Sequence, residues 1–112
     1  MILNQLEPVQ IEMVRGDTFE FVATFDDLVA DLSASAFTVK PLNGGAAVVS
    51  KTLANGGITK VASGIYDVKV DPADTTSVAP GTYGYDFEIT TADGDVHTIM
   101  LGMISVIQDI TV

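Results

Sequence analysis

The sequence predicts an all-β domain, a sandwich of seven or eight short strands with at most one turn of helix. Three observations lead there. Apolar residues recur at every second position over most of the 112 residues, the spacing of strands with one dry face. Gly, Asn, Asp and Pro interrupt that alternation at short intervals, as expected when two sheets bury their dry faces against each other. No stretch keeps a helical spacing of apolar residues for more than a turn.

The elements follow in order. Val9, Ile11 and Met13 alternate with Gln10 and Glu12, giving a first strand that Arg15-Gly16-Asp17 breaks. Phe19, Phe21, Ala23 and Phe25 alternate with Thr18, Glu20, Val22 and Thr24. Burial of each large side chain contributes roughly 1.5–3 kcal/mol, so these phenylalanines form a core stripe. Asp26-Asp27 ends the strand, and residues 26–35 read as a loop with an apolar patch at Leu28, Val29 and Leu32. Residues 37–42 make a third strand, with Phe37 and Val39 on one face and Pro41 marking an edge or a terminus.

Asn43-Gly44-Gly45 and Asn55-Gly56-Gly57 are turns, because Asn and Gly tolerate positive φ. Residues 46–53, of small side chains, and residues 58–61 read as strands. Ser63-Gly64 leads into residues 65–70, where Tyr66, Val68 and Val70 face away from Asp67 and Lys69. Asp71-Pro72-Ala73-Asp74 is a helix start, but Thr75-Thr76-Ser77 are poor helix formers and limit it to one turn. After Pro80-Gly81 comes a long hairpin. Tyr83, Tyr85, Phe87 and Ile89 alternate with Gly84, Asp86, Glu88 and Thr90, Asp93-Gly94 turns, and the chain returns from Val96. Residues 105–112 still alternate, as a continuation of the last strand or an arm.

Composition sets outer bounds. Residues 1–112 make one domain, large enough for a core without staples. The absence of Cys excludes disulfides and thiolate metal sites. A net charge of −10 argues against nucleic acid and against anionic membrane surfaces. The first eight residues lack a basic region and a continuous apolar stretch, so no targeting signal is expected. All five basic residues precede position 70, and seven acids follow it. That asymmetry reads either as solubility or as a C-terminal half that faces a basic partner.

No chemical constellation names a reaction. Arg15-Gly16-Asp17 reads as a tight turn before it reads as an integrin motif. His97, the single histidine, has no second His and no Cys to share a metal or a proton with. Asp26, Asp27 and Asp31, like Asp93 and Asp95, lack the spacing of a dedicated calcium loop. Tyr83 and Tyr85 share a face with Phe87 and Ile89, which favours core over a sugar-stacking platform. No catalytic residue, cofactor or metal is expected, and an enzyme is the least favoured class.

The apolar run Ile99, Met100, Leu101, Met103, Ile104 stands apart, because it leaves the returning strand without a wet face. Two readings remain open: a strand buried on both sides within the domain, or a contact with another subunit. Gly102 within it admits a close neighbour. The candidate interface is therefore Ile99, Met100, Leu101, Met103 and Ile104.

Three segments carry a resemblance. Val14-Arg-Gly-Asp-Thr-Phe-Glu-Phe-Val-Ala-Thr-Phe25 precedes Asp31-Leu32-Ser33 and the strand at Phe37-Thr38-Val39-Lys40. Pro80-Gly-Thr-Tyr-Gly-Tyr-Asp-Phe-Glu-Ile-Thr-Thr91 follows, then Asp93-Gly-Asp-Val-His-Thr-Ile99 and Gly102-Met-Ile-Ser-Val-Ile-Gln-Asp-Ile-Thr-Val112. This resembles the small immunoglobulin-like modules of tailed-phage virions, among them the N-terminal domains of baseplate upper proteins. The resemblance covers most of the chain; residues 43–63 contribute only generic turns.

It implies an immunoglobulin-like β-sandwich of seven or eight antiparallel strands. It also implies a non-catalytic structural part of a virion's tail, baseplate or capsid. Such a part, made in the host bacterial cytoplasm, docks to other virion proteins, with self-association a further option. No coiled coil or receptor-binding extension follows within the 112 residues. The alternative function for the same fold is a carbohydrate- or surface-binding adhesion module.

Overall fold

The computed structural model describes residues 10–26, 28 and 30–110. Val9, Asp27, Val29, Thr111 and Val112, which figure in the reading above, lie outside the described residues. Among the described residues, eight strands and one helical turn occur in the order β1 (Ile11–Val14), β2 (Phe19–Thr24), β3 (Ala34–Pro41), β4 (Val49–Thr52), β5 (Ile58–Ala62), β6 (Ile65–Val70), α1 (Pro72–Thr75), β7 (Gly81–Thr90) and β8 (Val96–Ile107). They form a five-stranded sheet, β1-β8-β7-β3-β4, and a three-stranded sheet, β2-β6-β5. The protein is a two-sheet β-sandwich, as the alternation predicts, of the immunoglobulin-like kind that the resemblance implies.

One pairing departs from the antiparallel expectation: β1 runs parallel to β8, with Ile11 beside Ile104 and Met13 beside Val106. The cause is the turn after β1. Gly16 takes φ 83°, and the chain crosses the core to lay β2 in the opposite sheet. β1 is left at the edge, beside the chain's last strand. The crossing is tied down at two points: Arg15 N–H donates to the Ile107 carbonyl at 2.9 Å, and Gly16 N–H donates to the buried Thr75 hydroxyl at 2.8 Å.

The two sheets meet through aromatic rings. Phe21 of β2 lies edge-on to Phe37 of β3 at 5.5 Å and to Phe87 of β7 at 5.6 Å. Phe19 stacks on Phe37 at 6.2 Å, and Phe37 tilts against Tyr85 at 5.8 Å. Each such pair contributes about 0.5–1.5 kcal/mol beyond its buried area. Phe37 and Phe87 are wholly buried, with Val39, Val68 and Ile89 around them.

Polar ties close the ends. The Tyr83 hydroxyl donates to the Ala79 carbonyl at 2.6 Å, the corner contact of a tyrosine near the start of its strand. Leu32 N–H donates to the Tyr66 hydroxyl at 2.9 Å, a buried bond that fixes the loop before β3. The helical turn is closed by Asp71 N–H donating to the Asp74 carboxylate at 2.7 Å. Lys51 of β4 pairs with that carboxylate.

Several boundaries differ from the sequence expectation. β3 begins at Ala34, three residues before the apolar signal. Ala34, Ser35 and Ala36 pair with Thr90, Ile89 and Glu88 although their small side chains advertise no strand. β4 keeps only Val49–Thr52 of the longer strand expected there. β8 runs on to Ile107, so the alternation after Ile104 is strand as far as that residue.

Gly64 combines a positive φ with a close backbone neighbour. It has φ 72°, and a Cβ there would stand 2.6 Å from the Phe25 carbonyl oxygen. Gly64→Ala should cost about 1–3 kcal/mol. At Gly84 a Cβ would meet nothing closer than 3.7 Å, so Gly84→Ala should stay within about 0.5 kcal/mol of wild type. Urea unfolding of the two variants checks this contrast.

Candidate docking surface

The returning strand resolves its apolar run with a bulge. Phe87 pairs with Met100, but Glu88 pairs with Thr98, so Ile99 is an extra residue on β8. A bulge shifts the alternation by one position. Ile99 and Met100 both lean on the core, and Ile104 and Val106 lie inside it. Leu101 and Met103 are turned to the outer face, 39% and 43% exposed, and Ile107 follows at 41%.

The expectation of a strand without a wet face is thereby corrected. Ile104, 0% exposed, is core and offers nothing to a partner. Ile99 and Met100 are partly buried against the core. Of the five candidate interface residues, Leu101 and Met103 are the ones with large exposed side chains.

The register places those two among neighbours from three strands. Leu101 pairs with Asp86, which pairs with Thr38 of β3. Met103 pairs with Gly84, and Leu42, 61% exposed, reaches over Gly84 so that a Cβ there would touch its Cδ2 at 3.7 Å. Thr98 pairs with Glu88, which pairs with Ala36. Small side chains in the middle of the face leave an open trough of about 380 Å³ along Ala36, Thr38, Lys40, Gly84, Asp86 and Glu88, a lining with one cation and two carboxylates. A second hollow of about 410 Å³ shares Ala36 and Glu88 and runs on past Ser35, Leu53 and Thr90.

The outer face of the three-stranded sheet differs. There Glu20 pairs with Lys69 and Val22 with Asp67, a charged surface on a sheet with two exposed valines, Val22 and Val61. Hydrogen bonding to Asp67, then the repulsion of its charge, then slight desolvation raise the Glu20 pKa above the ordinary carboxylate value, and Lys69 opposes the shift. Beside it the Lys60 ammonium lies 2.8 Å from the Asp31 carboxylate, a hydrogen bond that raises the lysine pKa.

The other residues singled out in the sequence do not converge. Arg15 is held by Asp109 at 2.9 Å, so the Arg15-Gly16-Asp17 turn keeps its guanidinium in an ion pair with the end of the chain. His97 is partly buried opposite Ile89. Asp93 and Asp95 flank a turn closed by Gly94 N–H donating to the Thr91 carbonyl at 2.9 Å. Among the described residues, no three His, Cys, Asp or Glu side chains gather as a metal site. Tyr85 is buried beneath β8, and that burial raises its phenol pKa. With Tyr83 tied to its corner, the two tyrosines form no exposed platform.

The sequence already placed Gly84, Asp86 and Glu88 on the wet face of β7, because they alternate with its core residues. Leu42 carried no such signal, because its place over Gly84 depends on how β3 ends.

The chain is similar to solved structures, of which CopC shares the fold at a TM-score above 0.5. The fibronectin(III)-like modules of CbhA from Clostridium thermocellum give a TM-score of 0.49 at 14% identity, over 91% of each chain. CopC from Methylosinus trichosporium OB3b gives 0.53 at 16% identity, over 91% of this chain and 89% of the other. At such identities the likeness speaks of the fold alone. No protein-family model matches the sequence, and no curated protein does either.

The Glu20–Asp67 pair sets an expected pH dependence. A carboxyl whose pKa rises on folding stabilises the fold below its ordinary pKa, and that contribution is lost as pH climbs through the raised value. Glu20→Gln should therefore melt above wild type at pH 7, with the advantage shrinking towards pH 4. Thermal melts of both proteins across that range check the sign.

Proposed function

We propose that the chain is a non-catalytic structural module of a tailed-phage virion, in its tail, baseplate or capsid, that works by docking to other virion proteins. The observation that carries the docking half is the asymmetry of the two outer faces. One sheet turns charged pairs to water. The other turns out Leu42, Leu101, Met103 and Ile107, the first three grouped around Gly84 and Asp86. Grouped apolar exposure of this kind marks interaction surfaces more often than single exposed leucines do. The virion half is supported by the resemblance carried by residues 14–25 and 80–112.

Docking here needs no moving part. The trough lies on a sheet whose inner face is locked by Phe37, Phe87 and Ile89, so the surface is rigid and little ordering entropy is spent on binding. Leu101 and Met103 each keep about 40% of their surface for a partner. At about 1.5–3 kcal/mol for full burial, the two together supply roughly 1–2.5 kcal/mol.

Leu101→Thr combined with Met103→Gln is expected to keep the fold and to lower incorporation into virions about tenfold. Quantifying the protein in particles assembled with wild-type or variant chain checks it. Equal incorporation with an unchanged melting temperature would dismiss this face as the docking surface.

A further inference from the structure

Two Asn-Gly pairs lie in exposed turns, Asn43-Gly44 and Asn55-Gly56, and the fold holds their side chains differently. The Asn55 Oδ1 accepts from Thr52 N–H and from Gly57 N–H, both at 2.9 Å, and its Nδ2 donates to the Ser50 carbonyl at 3.1 Å. Its main-chain N–H donates to the Thr52 hydroxyl at 3.0 Å. Among the described residues, no hydrogen bond reaches the Asn43 amide. Residues 42–47 around it are all exposed. A Cβ at Gly44 would meet nothing within 4 Å, so the peptide that follows Asn43 is open to water.

An asparagine carries an electrophilic carbon next to the main-chain nitrogen of the following residue. When that residue is glycine, no side chain obstructs the approach and the backbone bends freely. We propose that Asn43 is a site of spontaneous modification, converted to aspartate and isoaspartate through a cyclic imide with Gly44, while hydrogen bonds protect Asn55. The Gly44 nitrogen gives its proton to hydroxide and attacks Asn43 Cγ. The new bond joins that nitrogen to Cγ, the Cγ–Nδ2 bond breaks, and Nδ2 takes up a proton from water and leaves as ammonia. A water molecule then opens the ring at either of its two carbonyls. Opening at Cγ leaves an aspartate in a normal main chain, and opening at the other leaves an isoaspartate. One water is consumed and one ammonia released, with no change of oxidation state.

The hydrogen bonds decide which asparagine reacts. Ring closure at Asn43 breaks one, from Gly44 N–H to the Pro41 carbonyl at 3.0 Å. Ring closure at Asn55 breaks the three that its amide makes. The additional bonds lost on the way to the transition state slow Asn55 by about tenfold or more.

The change is one-way and falls at the rim of the apolar outer face. Leu42, next in sequence to Asn43, reaches over Gly84, where a Cβ would touch its Cδ2 at 3.7 Å. Either product sets a new negative charge beside Leu42, and the isoaspartyl form also adds a carbon to the main chain.

The test is to age the folded chain at mildly alkaline pH, digest it with trypsin and weigh the peptides. Cleavage after Lys51 puts Asn43 and Asn55 in separate peptides. The expected result is a gain of about one mass unit that appears in the Asn43 peptide about tenfold sooner than in the Asn55 peptide. In urea, where the turns are gone, the two peptides should gain mass at similar rates. Asn43→Gln, which would have to close a larger ring, should leave only the slow gain at Asn55. A folded chain in which Asn55 changes as fast as Asn43 would overturn the proposal. So would a folded chain in which neither changes while both change in urea.

Discussion

The fold rests on an aromatic bridge between two sheets that no disulfide joins. Antibody domains span the same gap with a disulfide packed on a tryptophan. This chain has no Cys and no Trp, and fills the gap with Phe19 and Phe21 from one side and Phe37 and Phe87 from the other. The bridge fixes which face of every strand points inward. Once Phe37 and Phe87 are inside, Thr38, Asp86 and Glu88 are necessarily outside. The character of the outer surface is thus a consequence of the core, and the trough inherits the core's rigidity.

Much of this was legible because strands with one dry face write their burial into the chain. The alternation of β2, β6 and β7 gave both their extent and their inward residues, and Asp71-Pro72 announced the helical turn. Two things stayed hidden for physical reasons. The start of β3 is built of Ala and Ser, which pair through their backbones and leave no apolar trace. The parallel partnership of β1 and β8 joins residues some ninety positions apart, and no local pattern encodes such a choice.

The candidate surface was half legible. The run at 99–104 announced that β8 has more apolar residues than one face can hold, and the excess does emerge as Leu101 and Met103. What the run could not reveal was the division between the faces, since a single bulged residue exchanges them. Nor could it show that Asp86 and Gly84 lie directly across from those two side chains.

The division itself has a physical origin in residues beyond the run. Without the extra residue at Ile99, the side chains of Leu101, Met103, Ser105 and Ile107 would point inward. That set is as apolar as the one observed, except that it would bury the Ser105 hydroxyl beneath β1 and turn Ile104 and Val106 out to water. A hydroxyl buried without a partner costs about 1–3 kcal/mol. The observed register instead sets Ile104 and Val106 beside Ile11 and Met13 in a continuous apolar layer. It also places Gly102 across from Tyr85, where the missing side chain leaves room for a ring on the same face. Ser105, Gly102 and β1 together choose the register, and that choice delivers Leu101 and Met103 to the surface beside Asp86 and Gly84.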